Sequence, residues 1–158
     1  TKLACANVID GLYLFDFDVT TGFVSNRQRL TVPTSNNKPY GAEFSPNSQV
    51  LYVTATTDLF GAGDNDPDNH FSVLVQYDLT VPNVSGSAFI VDQRNAYRSA
   101  LQLGPDGRIF RSMADTYDLG APFLSTINNP NNLGIDCDYD NNSISLGLPF
   151  DGAMVNDQ

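Results

Sequence analysis

The chain is 158 residues long and 41% hydrophobic, with seven Tyr and ten Phe, enough apolar material for one folded domain or a piece of one. Eight Lys and Arg against 18 Asp and Glu give a net charge of −10, which argues against nucleic acid and anionic lipid as partners. No run approaches the ~18 consecutive apolar residues of a membrane-spanning helix, and no basic segment leads into an apolar one as in a signal peptide.

The sequence opens at Thr1 and runs at once into the strand-like Leu3-Ala4-Cys5-Ala6, as a mature or trimmed product of a longer precursor would. Leu12 to Asp18 alternates as a strand, Thr20-Thr21-Gly22 makes a turn, and Phe23-Val24 starts the next strand. Tyr40 to Ser45 and Gln49 to Ala55 flank the turn Ser45-Pro46-Asn47-Ser48. The polar stretch 56–70 follows, then a strand over Ser72 to Leu79. Leu101-Gln102-Leu103 and Arg108-Ile109-Phe110 flank Gly104-Pro105-Asp106-Gly107. In both turns Pro fixes φ at the first central position and Asn or Asp suits the second. Helical periodicity is nearly absent, so the chain is expected to be all-β, at least ~40% strand and under ~10% helix.

Two motifs recur in the same order. Phe44-Ser45-Pro46-Asn47-Ser48 returns 59 residues later as Leu103-Gly104-Pro105-Asp106-Gly107, and Phe15-Asp16-Phe17 returns 62 residues later as Tyr77-Asp78-Leu79. Setting aside the acidic insertion 56–70 leaves a unit of about 45 residues, the size of a four-stranded propeller blade. About twelve strands then make three blades of one β-propeller-like segment over 1–158, fewer than the roughly four to eight of a closed propeller. Its open sheet edges would take up protein partners or further copies of the chain. The two Pro-turn hairpins are expected to occupy equivalent positions in successive blades.

These runs, together with Tyr40-Gly41-Ala42-Glu43-Phe44, Leu51-Tyr52-Val53, Gln76-Tyr77-Asp78-Leu79 and Ile127-Asn128-Asn129-Pro130-Asn131-Asn132-Leu133-Gly134, cover nearly the whole chain to about Pro149. Their pattern resembles the propeller-like region of large Bacteroidota surface proteins of the gliding-motility-associated, type IX secretion kind. The sequence departs from that pattern at Phe110-Arg111-Ser112-Met113 and after Pro149. The resemblance implies an exported, extracellular or cell-surface protein and no enzyme.

Four sets of residues are candidates for chemistry. Asp64, Asp66 and Asp68 alternate in a loop and would converge on calcium, although the Gly and distant Glu of the full calcium loop are missing; a solvated acidic loop tip is the other reading. Asp136, Asp138 and Asp140 would share one face if they lay on a strand. His70, the only His, lacks the partners of a zinc site or a catalytic base and reads as a loop-end residue. Cys5 and Cys137 would form a disulfide in an oxidising compartment or stay as two thiols. No cofactor other than calcium is indicated. The leading function is a non-catalytic structural or adhesive module. A propeller hydrolase or lactonase with a metal, and a carbohydrate-binding module for surface glycans, stand as alternatives. Glu43 is the only Glu, and the Asp residues fall mostly in loops, which weighs against the hydrolase.

Overall fold

The computed structural model describes residues 1–34, 38–57 and 66–147. It is all-β: strands make up 54% of the described residues, and the helical turns among them are the short 3-10 segments Pro67–Asn69, Ser85–Ser87 and Gly134–Cys137. Among the described residues no helix is long and apolar enough to cross a membrane.

Among the described residues eleven strands form three antiparallel sheets, each a simple meander. The first holds β1 (Lys2–Asn7), β2 (Gly11–Phe17) and β3 (Val24–Leu30). The second holds β4 (Lys38–Phe44), β5 (Val50–Thr56), β6 (Ser72–Asp78) and β7 (Phe89–Arg94). The third holds β8 (Arg98–Leu103), β9 (Ile109–Ala114), β10 (Gly120–Ile127) and β11 (Tyr139–Ser145). Among the described residues the strands number eleven against the expected twelve, and the first sheet has three rather than four.

The sheets pack face to face in chain order. Because side chains alternate along a strand, Leu51, Val53 and Ala55 of β5 turn one way and Val50 and Tyr52 the other. The first set joins Val73, Val75 and Tyr77 against Leu12, Leu14 and Leu30 of the first sheet, with Ala4 and Ala6 beside them. The second joins Leu74 against Ile109, Ile127 and Cys137 of the third sheet. Every residue of β5 and six of the seven in β6 are buried. The leading strands lie side by side: β4 packs on β1, and β8 packs on β4 and β5.

The two Pro-turn hairpins are the β4–β5 and β8–β9 connections, the first hairpin of each four-stranded sheet. In one, Ser48 N–H donates to the Ser45 carbonyl at 2.8 Å; in the other, Gly107 N–H donates to the Gly104 carbonyl at 3.1 Å. Asn47 and Asp106 each accept, through Oδ1, the N–H two residues on, at 3.0 and 3.1 Å. The next residue is left-handed in both, Ser48 at φ 58° and Gly107 at φ 83°. The hairpins differ by one residue: Phe44 pairs with Leu51, whereas Leu103 pairs with Ile109.

The aromatic-Asp motif falls on β2 and β6, each leading through one more strand to a Pro-turn hairpin. The repeat therefore equates β2 through β5 with β6 through β9, and β1 with β5. The β1–β2 and β5–β6 ladders agree: Lys2 faces Asp16 as Val50 faces Asp78. Leu3, Cys5, Tyr13 and Phe15 then correspond to Leu51, Val53, Val75 and Tyr77. The first sheet matches the last three strands of the second.

A left-handed conformation costs an L-residue about 1 kcal/mol and glycine little. Ser48→Gly is expected to raise stability by about 0.5 kcal/mol, and Gly107→Ser to lower it by about 1 kcal/mol, both read from urea unfolding midpoints at constant slope.

Candidate functional site

The most polar part of the interior lies between the second and third sheets. On β9 the alternation that turns Ile109 and Met113 toward the second sheet also turns Arg111 there, where it is fully buried. Its Nε donates to Ser99 Oγ at 3.1 Å and its Nη2 to Ser72 Oγ at 3.1 Å. Its Nη1 donates to Asp92 Oδ2 at 2.6 Å and to the Tyr139 hydroxyl at 3.0 Å. A guanidinium leaves water at acceptable cost only with such a complete set of acceptors.

Asp92, on β7, also accepts a fork from Arg94, with Nε on Oδ2 at 2.7 Å and Nη2 on Oδ1. Burial pushes the Asp92 carboxyl up. The hydrogen bonds and charges of Arg94 and Arg111 outweigh burial and hold it below the usual carboxylate range. The bond to Asp92 in turn raises Arg94 above its ordinary value.

The seam continues along β8. The Thr54 and Thr56 hydroxyls donate to the Ser99 and Tyr97 carbonyls. Glu43 accepts the Leu103 N–H through Oε2 at 3.0 Å and the Phe44 N–H through Oε1 at 2.9 Å. Gly41 permits this approach, since a Cβ there would stand 2.9 Å from Thr54 Oγ1 and 3.2 Å from the Ser99 carbonyl. At the far end, the Tyr52 hydroxyl donates to the Pro130 carbonyl at 3.0 Å. Gln76 Nε2 donates to Tyr52 at 2.7 Å and to the Asn132 carbonyl at 2.8 Å, while its Oε1 accepts the Gly134 N–H at 2.7 Å. These bonds fix the Asn-Asn-Pro-Asn-Asn loop over the end of the second sheet. A cleft of about 360 Å³ lies between that loop and the turns at Pro46 and Gly107.

The residues singled out by sequence lie elsewhere. Asp64 falls outside the described residues. Asp66 caps the Pro67–Asn69 turn by accepting the Asp68 N–H at 3.1 Å, and Asp68 accepts from the Asn95 amide at 3.0 Å. Among the described residues no group of three or more His, Cys, Asp or Glu is placed to hold a metal ion. Asp136, Asp138 and Asp140 do not share a strand: Asp136 lies in a 3-10 turn, Asp138 is left-handed at φ 55°, and only Asp140 is in β11. His70 ends its loop as the C-cap of the Pro67–Asn69 turn, and it is buried there, edge-on to Tyr97 with ring centroids 5.1 Å apart.

Cys5 and Cys137 are both free, so the disulfide weighed from the sequence is not formed here. The fold separates them. Cys5 is exposed on β1, on the face turned away from the second sheet, whereas Cys137 is sealed in the core between the second and third sheets. Burial raises the Cys137 thiol above its ordinary range and makes it a poor nucleophile.

Sequence reasoning passed over Arg111, Asp92 and the bridging use of Glu43. One signal was available: in Ile109-Phe110-Arg111-Ser112-Met113 the period-two pattern places a charge between two inward apolar residues. Compared with known proteins, the chain matches no family model and no curated protein.

Asp92→Asn removes the charge partner of a fully buried guanidinium and is expected to cost about 3–5 kcal/mol at neutral pH. Because folding depresses the Asp92 pKa, its contribution is present above the unfolded value of about 3.9 and is lost as pH falls through the folded value. Urea unfolding between pH 7 and pH 2 should therefore show a shallower acid loss for the Asn variant than for the wild type.

Proposed function

We propose that the chain is a propeller-like, non-catalytic structural or adhesive module of an exported surface protein, each sheet serving as one blade. The observation that carries this reading is the stacking of three meander sheets in chain order, with their leading strands side by side and the same Pro-turn hairpin opening the second and third. The resemblance to propeller-like regions of Bacteroidota surface proteins points the same way. So does the acidic surface, which favours solubility outside the cell.

The polar side chains support a structural role. A propeller hydrolase would gather carboxylates or imidazoles toward the leading strands, leaving them free for a metal or substrate. Here Glu43 spends both oxygens on backbone N–H groups, that of Phe44 in its own strand and that of Leu103, which joins β4 to β8. Arg111 and Asp92 are enclosed by each other and their neighbours.

Shaving of intact producing cells with protease should release the chain, whereas recovery in the cytoplasm alone overturns the surface assignment. Assays for ester and lactone hydrolysis, with and without calcium, are expected to show no turnover above background. Turnover abolished by Glu43→Gln would instead establish the hydrolase.

A further inference from the structure

The first sheet turns only one face to the second sheet. Its other face carries Leu3 and Cys5 of β1 and Tyr13 and Phe15 of β2. The corresponding Leu51, Val53, Val75 and Tyr77 are each 0% exposed, because the first sheet covers them. Here the same positions are uncovered: Leu3 is 41% exposed, Cys5 is exposed, and the two aromatic rings, 6.3 Å apart, are half-buried. Arg29 faces Tyr13 across the β2–β3 ladder, and Arg27 stands over its ring at 5.4 Å. Both arginines are exposed, in a chain that has only eight basic residues.

The outward face of the third sheet is of the complementary kind. In the second-to-third interface the covering residues are set by the pairs Tyr52–Gln76 and Thr54–Leu74; in the first-to-second interface by Ala4–Leu14 and Ala6–Leu12. The third sheet repeats the arrangement with Phe110–Thr126 and Ser112–Leu124. Next to Thr126, on β11, stands the exposed Asp140. Arg29 and Asp140 both lie on the last strand of their sheets, so stacking the two faces puts opposite charges on the same side of the contact.

We propose that the outward face of the first sheet docks against the outward face of the third sheet of a second copy, head to tail. This rests on reading the sheets as successive blades. The contact repeats the face-to-face part of the internal sheet packing, without the leading strand that the three-stranded first sheet lacks, buries Leu3, Cys5, Tyr13 and Phe15, and places the Arg27 and Arg29 pair on the face that meets the one carrying Asp140. Such an interface uses different surfaces on the two copies and so extends to a closed ring or a chain of copies.

The test combines sedimentation of the 158-residue chain with thiol labelling across a range of concentrations. Cys137 is an internal control, buried in every association state. Association should raise the mass above that of the monomer and slow Cys5 labelling at least tenfold, with Cys137 unlabelled until unfolding. Leu3→Asp and Arg29→Asp should leave the circular dichroism unchanged, hold the chain monomeric and keep Cys5 reactive. Adding Asp140→Arg to Arg29→Asp should restore association. A monomer at every concentration with Cys5 fully reactive overturns the second-copy contact, and so does an oligomer whose Cys5 stays reactive, because it uses another surface. Neither result touches the surface-module reading, which fails separately if the chain is confined to the cytoplasm.

Discussion

Both faces of the β5–β6 pair are closed to water, and the rest of the molecule is arranged around that fact. Fully burying a Val, Leu or Tyr-sized side chain contributes roughly 1.5–3 kcal/mol, and this pair buries Leu51, Val53, Val73, Leu74, Val75 and both of its tyrosines. A sheet buried on one side only would alternate apolar and polar residues. A sheet buried on both reads as a nearly unbroken apolar run, as Val50-Leu-Tyr-Val-Thr-Ala does. The outer sheets can then be more polar on their far faces, because each needs only one apolar face to attach.

The two interfaces of the central sheet differ in kind. The one with the first sheet is mainly apolar, with Leu12, Leu14 and Leu30 against Val53, Val75 and Tyr77, and the Tyr77 hydroxyl donates to the Thr31 carbonyl at 3.0 Å. The one with the third sheet mixes apolar contacts at one end with Arg111, Asp92, Ser72 and Ser99 at the other. Arg111 reaches Ser72 and Asp92 across the interface, and the paired bonds hold only in one alignment, so this interface sets registry at the expense of desolvation. Glu43 and the two threonines act likewise on the backbone of β8. The charged interior thus acts as an alignment device between sheets, and this is its physical role in the present fold.

Local chemistry made the hairpins legible in the sequence. Proline, an amide or carboxylate acceptor, and a residue able to turn left-handed are enough to specify Ser45–Ser48 and Gly104–Gly107 without knowledge of the rest of the chain. The strand over Leu12 to Asp18 was legible from alternation for the same reason. What escaped was set by distant partners. The Asp136 to Asp140 spacing left a strand face and a turn both open, and the chain there makes a 3-10 turn that drops Cys137 into the core. The separation of Cys5 from Cys137 depends on the order in which the sheets stack. Asp92 meets Arg111 only because β7 and β9 belong to neighbouring sheets, and nothing near either residue in the sequence announces the other.

The hairpin that opens the second sheet contains one residue more than its counterpart in the third. A strand presents alternate residues to opposite sides, so this single insertion has a disproportionate effect on how the repeats are compared. Aligned without a gap through the proline turn, Tyr52 would stand against Arg111, yet the first faces the third sheet and the second faces back toward the second. A gap of one residue directly after Ser48 restores the match of Tyr52 with Phe110 and of Val53 with Arg111. An ungapped profile of this repeat would average inward positions of one unit with outward positions of the next, and would cancel the alternation that marks the strands. Kinship among such units is therefore easily lost to sequence comparison while their ladders still superpose. A search for relatives of this chain gains most by allowing a one-residue shift at that turn.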